Sequence, residues 1–161
     1  MQIDANTLLS ASCYDTVESC EARSTSAAHE AAQQKITALC TKVERFAGPL
    51  VFVGAGTAPR TYSENKVVST RKVTVLPGKM DALIAEANNQ EANHKVALPG
   101  HRGAMWIKID DTTLLAHSVY NDQASLDANA ENSKNTAALM APYMADAGTK
   151  TVSKIVMDVW A

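Results

Sequence analysis

Two stretches of this chain are near copies of each other. Residues 4–16 read Asp-Ala-Asn-Thr-Leu-Leu-Ser-Ala-Ser-Cys-Tyr-Asp-Thr, and residues 110–122 read Asp-Asp-Thr-Thr-Leu-Leu-Ala-His-Ser-Val-Tyr-Asn-Asp. Over residues 1–22 and 107–128 the ungapped match holds nine identities in 22 positions, among them Asp4/Asp110, Leu8/Leu114, Leu9/Leu115, Ser12/Ser118 and Tyr14/Tyr120. Further on, Ala38-Leu39 matches Ala138-Leu139 and Ala47-Gly48 matches Ala147-Gly148. One supersecondary unit is therefore expected twice, with a longer helical region in the first copy.

The order of elements follows from periodicity. Residues 1–4 and 7–14 alternate as short strands, with Asp15 or Thr16 as cap for a helix running to about Phe46. Ile36, Leu39, Cys40 and Val43 form its apolar stripe, and Gly48-Pro49 stops it before a strand at 50–53. Residues 55–65 are rich in turn formers and read as a linker between a unit 1–54 and a unit 66–161. Gly54-Ala55-Gly56 lacks the third glycine and the following helix of a dinucleotide fingerprint.

The second unit reads strand 67–76, turn Pro77-Gly78, a helix with Met80, Leu83, Ile84 and Ala87 on one face, and strands 101–109 and 113–120. Asp122 then caps a helix that carries Leu126, Ala130, Ser133, Ala137, Met140 and Met144, and a strand 152–160 closes the chain. That is β-α-β-β-α-β, the ferredoxin-like order. The first unit is β-β-α-β and lacks the leading strand and helix.

The totals narrow the partners. The 161 residues carry a net charge of −2, which argues against nucleic acid or an anionic membrane as partner. No apolar run approaches the ~20 residues of a membrane span. The start shows no basic segment followed by an apolar one. Cys13, Cys20 and Cys40 are odd in number and sit at positions of apolar pattern, so they read as buried, reduced thiols of a cytoplasmic protein. The four His lack partners at metal-ligand spacing, and no metal site is expected.

Three short motifs carry a family resemblance. The strand at 69–76 followed by Pro77-Gly78-Lys79 and a helix, the run Pro99-Gly100-His101-Arg102-Gly103, and the step Val119-Tyr120-Asn121-Asp122 resemble antibiotic biosynthesis monooxygenase-type domains. The resemblance covers residues 67–160, and more weakly 1–53 as a truncated copy. It implies an α+β fold in which ferredoxin-like units form a dimeric α/β barrel, with antiparallel sheets face to face and helices outside. It also implies a homodimer and a pocket between sheet and helices or inside the barrel.

Family activities include cofactor-free oxidation of aromatic polyketides and quinols, polyketide cyclisation and haem breakdown. The haem branch needs a Trp and a His on the second helix, and residues 123–144 have neither. The resemblance thus points to an oxygenase without cofactor, acting on an aromatic, polyketide or quinone-like small molecule. A cyclase or isomerase and a non-catalytic binding or assembly module on the same fold remain as alternatives.

Cofactor-free oxygenation needs a base and hydrogen-bond donors in an apolar pocket. With Met105, Ile107, Ile109, Leu115 and Val119 towards the helices, alternation sends Trp106, Lys108, Ser118 and Tyr120 to the barrel interior, joined by Thr70, Lys72 and Thr74. His117, aligned with Ala11, would then point to the helices, as a core histidine or a base. The candidate catalytic residues are His117, Trp106 and Tyr120. The candidate substrate-binding residues are Arg71, Lys72, His101 and Ser118. Lys108 beside Asp110 reads equally well as a solvated edge.

Overall fold

The computed structural model describes residues 12–44, 46–56, 66–93 and 98–154. The expected strands at 1–4 and 7–11, most of the linker, His94 and the end of the last strand lie outside these residues. Two compact units divide the chain, Ser10–Phe46 and the residues from Ala47 onward.

The first unit contains α1 (Val17–Ser24) and α2 (Ala27–Ala38). One long helix to Phe46 is thus corrected to two shorter ones. The break has a local cause. Ser24, Thr25 and Ser26 turn their hydroxyls onto the carbonyls of Cys20, Glu21 and Arg23, and Ser26 then accepts from the amide of His29 as a new N-cap. Neither helix buries a residue, and Ile36, Leu39 and Val43 of the apolar stripe are exposed. Cys13 and Cys40 are exposed too, which corrects the expectation of buried thiols. Ser12–Tyr14 is not in a strand, although the aligned Ser118–Tyr120 is.

The second unit holds β1 (Leu50–Ala55), β2 (Val67–Val75), α3 (Met80–Asn93), β3 (His101–Asp110), β4 (Thr113–Tyr120), α4 (Gln123–Ala128), α5 (Ala130–Met140), β5 (Met144–Asp146) and β6 (Thr151–Lys154). The strands form one antiparallel sheet in the order β1-β3-β4-β2-β5, with β6 also on β2. Without β1 and β5, the order β6-β2-β4-β3 is that of an α+β, ferredoxin-like unit, as the sequence pattern implies. β1 adds a fifth strand on the β3 edge.

Capping and turn chemistry explain the boundaries. Asp122 accepts from the Ser125 amide at 2.7 Å, and Thr16 does the same for Ser19 at 3.1 Å, at the two aligned positions. Buried Asn129 splits the second helical stretch. Its amide donates to the carbonyls of Ser125 and Pro99, tying the α4–α5 joint to the Pro99-Gly100 turn. Gly100 has φ +74°, and a Cβ there would lie 2.1 Å from Ser125 Oγ, so this turn needs glycine. Met144 was expected to continue a helix. Pro142 closes that helix as a 3-10 turn instead, and Met144 enters β5 beside Val75.

Two dry clusters sit between sheet and helices. Val73, Val75 and Leu114 pack under Met80, Leu83 and Ala87 of α3 and Met140 of α5. Val67 and Tyr120 pack with Leu126 of α4, and Val152 joins them. Among the described residues no helix is long and apolar enough to cross a membrane.

Candidate functional site

The clusters show which face of the sheet meets the helices. Val73, Val75, Leu114, Trp106 and Tyr120 lie on the helix side, so Arg71 and Ser118 do as well. His117, Leu115, Val119, Met105, Ile107, Thr70 and Lys72 lie on the opposite face. The assignment read from the sequence is therefore inverted. Trp106, Ser118 and Tyr120 face the helices, and His117 faces away. Lys72 does not join Trp106, whereas Arg71 does.

Between the two clusters runs a belt of small or polar side chains. One cross-strand row is Ser69–Ser118–Ala104–Gly54, and the next is Arg71–Ala116–Trp106–Phe52. Ser69, Arg71, Ala104, Trp106, Ala116 and Ser118 stay half-buried, although they stand on inner strands and face the helix layer. Leu114, one row away, is 1% exposed. The helices thus close tightly at both ends and leave the belt accessible.

Trp106 walls the belt with its ring centroid 4.9 Å from that of Phe52. Tyr120 closes the other side. Its hydroxyl interacts with Ser118 on the sheet and Ser133 on α5, and burial raises its pKa, which keeps it a neutral O–H donor. The His101 ring lies 5.1 Å from that of Tyr120, and His101 is the imidazole next to the belt. Glu91 of α3 accepts from the Ala55 amide at 3.0 Å, and its carboxylate lies over Gly54. Glu91 was missed by sequence reasoning, because a polar position two residues from the end of α3 gives no signal of what lies beneath it. Lys108 pairs with Asp111 at 2.7 Å rather than with Asp110, and belongs to the edge.

His117 occupies a separate polar spot. It is 2% exposed, and its Nδ1 stands 2.9 Å from Thr70 Oγ1. Ser153 Oγ, also buried on that face, has no hydrogen-bond partner. Burial lowers the His117 pKa from its ordinary 6.5. As pH falls, the unfolded chain therefore takes up this proton before the folded one does. The stabilisation is complete above the unfolded value and is lost as pH falls through the depressed folded value, at no more than about 1.4 kcal/mol per pH unit. Denaturant melts between about pH 7 and pH 5 are expected to show this acid-side loss, and His117→Gln to flatten it. An unchanged slope in the variant would assign the loss to other groups.

Among the described residues no cluster of His, Cys, Asp or Glu could hold a metal ion. No protein-family model and no curated protein matches this sequence. Solved structures share its fold. A proposed monooxygenase from Lactobacillus acidophilus superposes with a TM-score of 0.62 at 11% identity, over 90% of this chain and 72% of that one. An anthrone oxidase-like protein gives 0.57 at 13% identity, over 88% and 68%. A protein of unknown function from Nitrosomonas europaea gives 0.51 at 14% identity, over 62% and 98%. At such identities the likeness is one of fold.

Proposed function

We propose that this chain is a cofactor-independent oxygenase that holds an aromatic, polyketide or quinol-like small molecule in the helix-side belt. The observation that carries the proposal is the belt itself, a half-accessible strip with an aromatic wall and hydroxyl donors between two dry clusters. Similarity in fold to proteins named as a monooxygenase and as anthrone oxidase-like supports the reaction class.

The chemistry balances with molecular oxygen as oxidant. A ring CH2 activated by a neighbouring carbonyl loses a proton to a base. The anion passes electrons to O2, a C–O bond forms, and the protonated hydroperoxide eliminates water to leave C=O. Trp106 offers its ring face to the substrate. Tyr120 and Ser118 supply hydroxyls for the developing oxyanion. His101 takes the proton, and His117, on the far face, keeps a structural role. A homodimer goes with this proposal, supported by the half-buried aliphatic residues Met105, Ile107, Leu115 and Val119 on the face opposite α3. A ligand-binding module is the second reading, favoured by the distance of His117 from the belt.

Oxygen uptake with a panel of anthrones and naphthoquinols is the test. The wild type is expected to consume oxygen, and His101→Gln to lose roughly 100-fold or more. Trp106→Phe is expected to weaken turnover less, and His117→Gln to stay within about threefold once folded. If no substrate of the panel drives uptake, the oxygenase proposal fails and the binding module stands.

A further inference from the structure

We infer that the belt is built for an acidic ligand, a planar aromatic carboxylate or phenolate, with its anionic group on Arg71. The inference rests on the belt being a small-molecule site and is independent of the oxidation chemistry. Arg71 stands at the β2 end of the row Arg71–Ala116–Trp106, in which Ala116 contributes only a methyl. Two strand spacings separate β2 from β3, about 10 Å. That backbone span is on the scale of one or two fused rings.

The state of the guanidinium points to the charge of the ligand. Arg71 Nη1 donates to the Gly148 carbonyl at 2.7 Å, which holds the side chain in place. That is the hydrogen bond Arg71 makes, and it forms no ion pair with any described residue. Asp146, at the end of β5, accepts at Oδ1 from the Gly148 amide at 2.9 Å instead. A guanidinium carries five N–H donors in a rigid fork suited to a carboxylate, and most of them are unused here. A half-buried, positioned cation with no ion pair among the described residues favours an anion over an isosteric neutral molecule.

The experiment is a fluorescence titration without oxygen, so that binding is read apart from turnover. The chain has two tryptophans, and Trp160→Phe leaves Trp106 as reporter. The probes are 2-naphthoate and its methyl ester. In this parent the acid is expected to bind at least about tenfold more tightly than the ester. Arg71→Gln is expected to remove the gap while leaving ester binding intact, and Arg71→Lys to keep part of it. Unchanged ester binding also certifies the folding of Arg71→Gln. Equal affinities in the parent, or a gap that survives Arg71→Gln, would overturn the inference. If neither probe quenches Trp106, the belt is no binding site, and both the inference and the proposed function fall. If the acid is preferred but no substrate consumes oxygen, the oxygenase proposal falls alone.

Discussion

Leu114→Ala is expected to destabilise the second unit by about 2–5 kcal/mol. Leu114 is 1% exposed, on inner strand β4, between Val73 of β2 and Lys108 of β3. It belongs to the cluster beneath Met80, Leu83 and Ala87 of α3. Truncation removes three side-chain carbons from water-free packing and leaves a cavity that the sheet backbone cannot collapse into. Denaturant unfolding should show a lower midpoint with an unchanged slope. Leu139→Ala, at a site that is 50% exposed, is the matched control and should stay within about 0.5 kcal/mol. A loss below about 1 kcal/mol at Leu114 would mean that this cluster is not the core of the unit.

Gly148→Ala is expected to cost about 2–4 kcal/mol and to erase the preference for the acidic probe. Two effects add at this position. Its φ of +68° strains any L side chain, and a Cβ would lie 2.0 Å from the carbonyl oxygen of Lys72, which is backbone and cannot turn aside. Gly78→Ala separates the two effects. Its φ is +72°, but nothing lies within 4 Å of the added Cβ, so only the strain of about 1 kcal/mol is expected there. Because Gly148 O anchors Arg71, its displacement also moves the guanidinium. If Gly148→Ala costs no more than Gly78→Ala and the acidic probe is still preferred, the loop does not hold Arg71.

Much of the second unit was legible because its signals are local. The strand 113–120 coincides with β4, since alternation ends at Asp122, whose carboxylate caps α4. Met80, Leu83 and Ala87 sit at helical spacing and are buried as a set. β5 was not legible, because three residues carry too little pattern and Met144 also fits a helical stripe. The length of the first helix was misjudged for a different reason. The apolar stripe continued past hydroxyl side chains that compete with the backbone at Ser24, Thr25 and Ser26.

The candidate site was legible by residue type but not by placement. Trp106, Ser118, Tyr120, Arg71 and His101 lie on or beside the belt, while His117 and Lys72 do not join it. Hydrophobicity pointed to the wrong face, because Met105, Ile107, Leu115 and Val119 outweigh Ala104, Ala116 and Ser118.

By itself the sequence determined the order of the four main strands and α3 in the second unit, the caps at Thr16 and Asp122, the turns at Pro77-Gly78 and Pro99-Gly100, and the pairing of positions that share a face. Those features depend on neighbours within a few residues, where period and backbone freedom are decisive. Only the tertiary structure decided which face the helices cover, that β1 extends the β3 edge, and that the Gly148 carbonyl holds Arg71. Each of these is a contact between residues distant in the chain, chosen by how volumes and hydrogen bonds fit in three dimensions. Alternation along a strand is the same whichever side is covered.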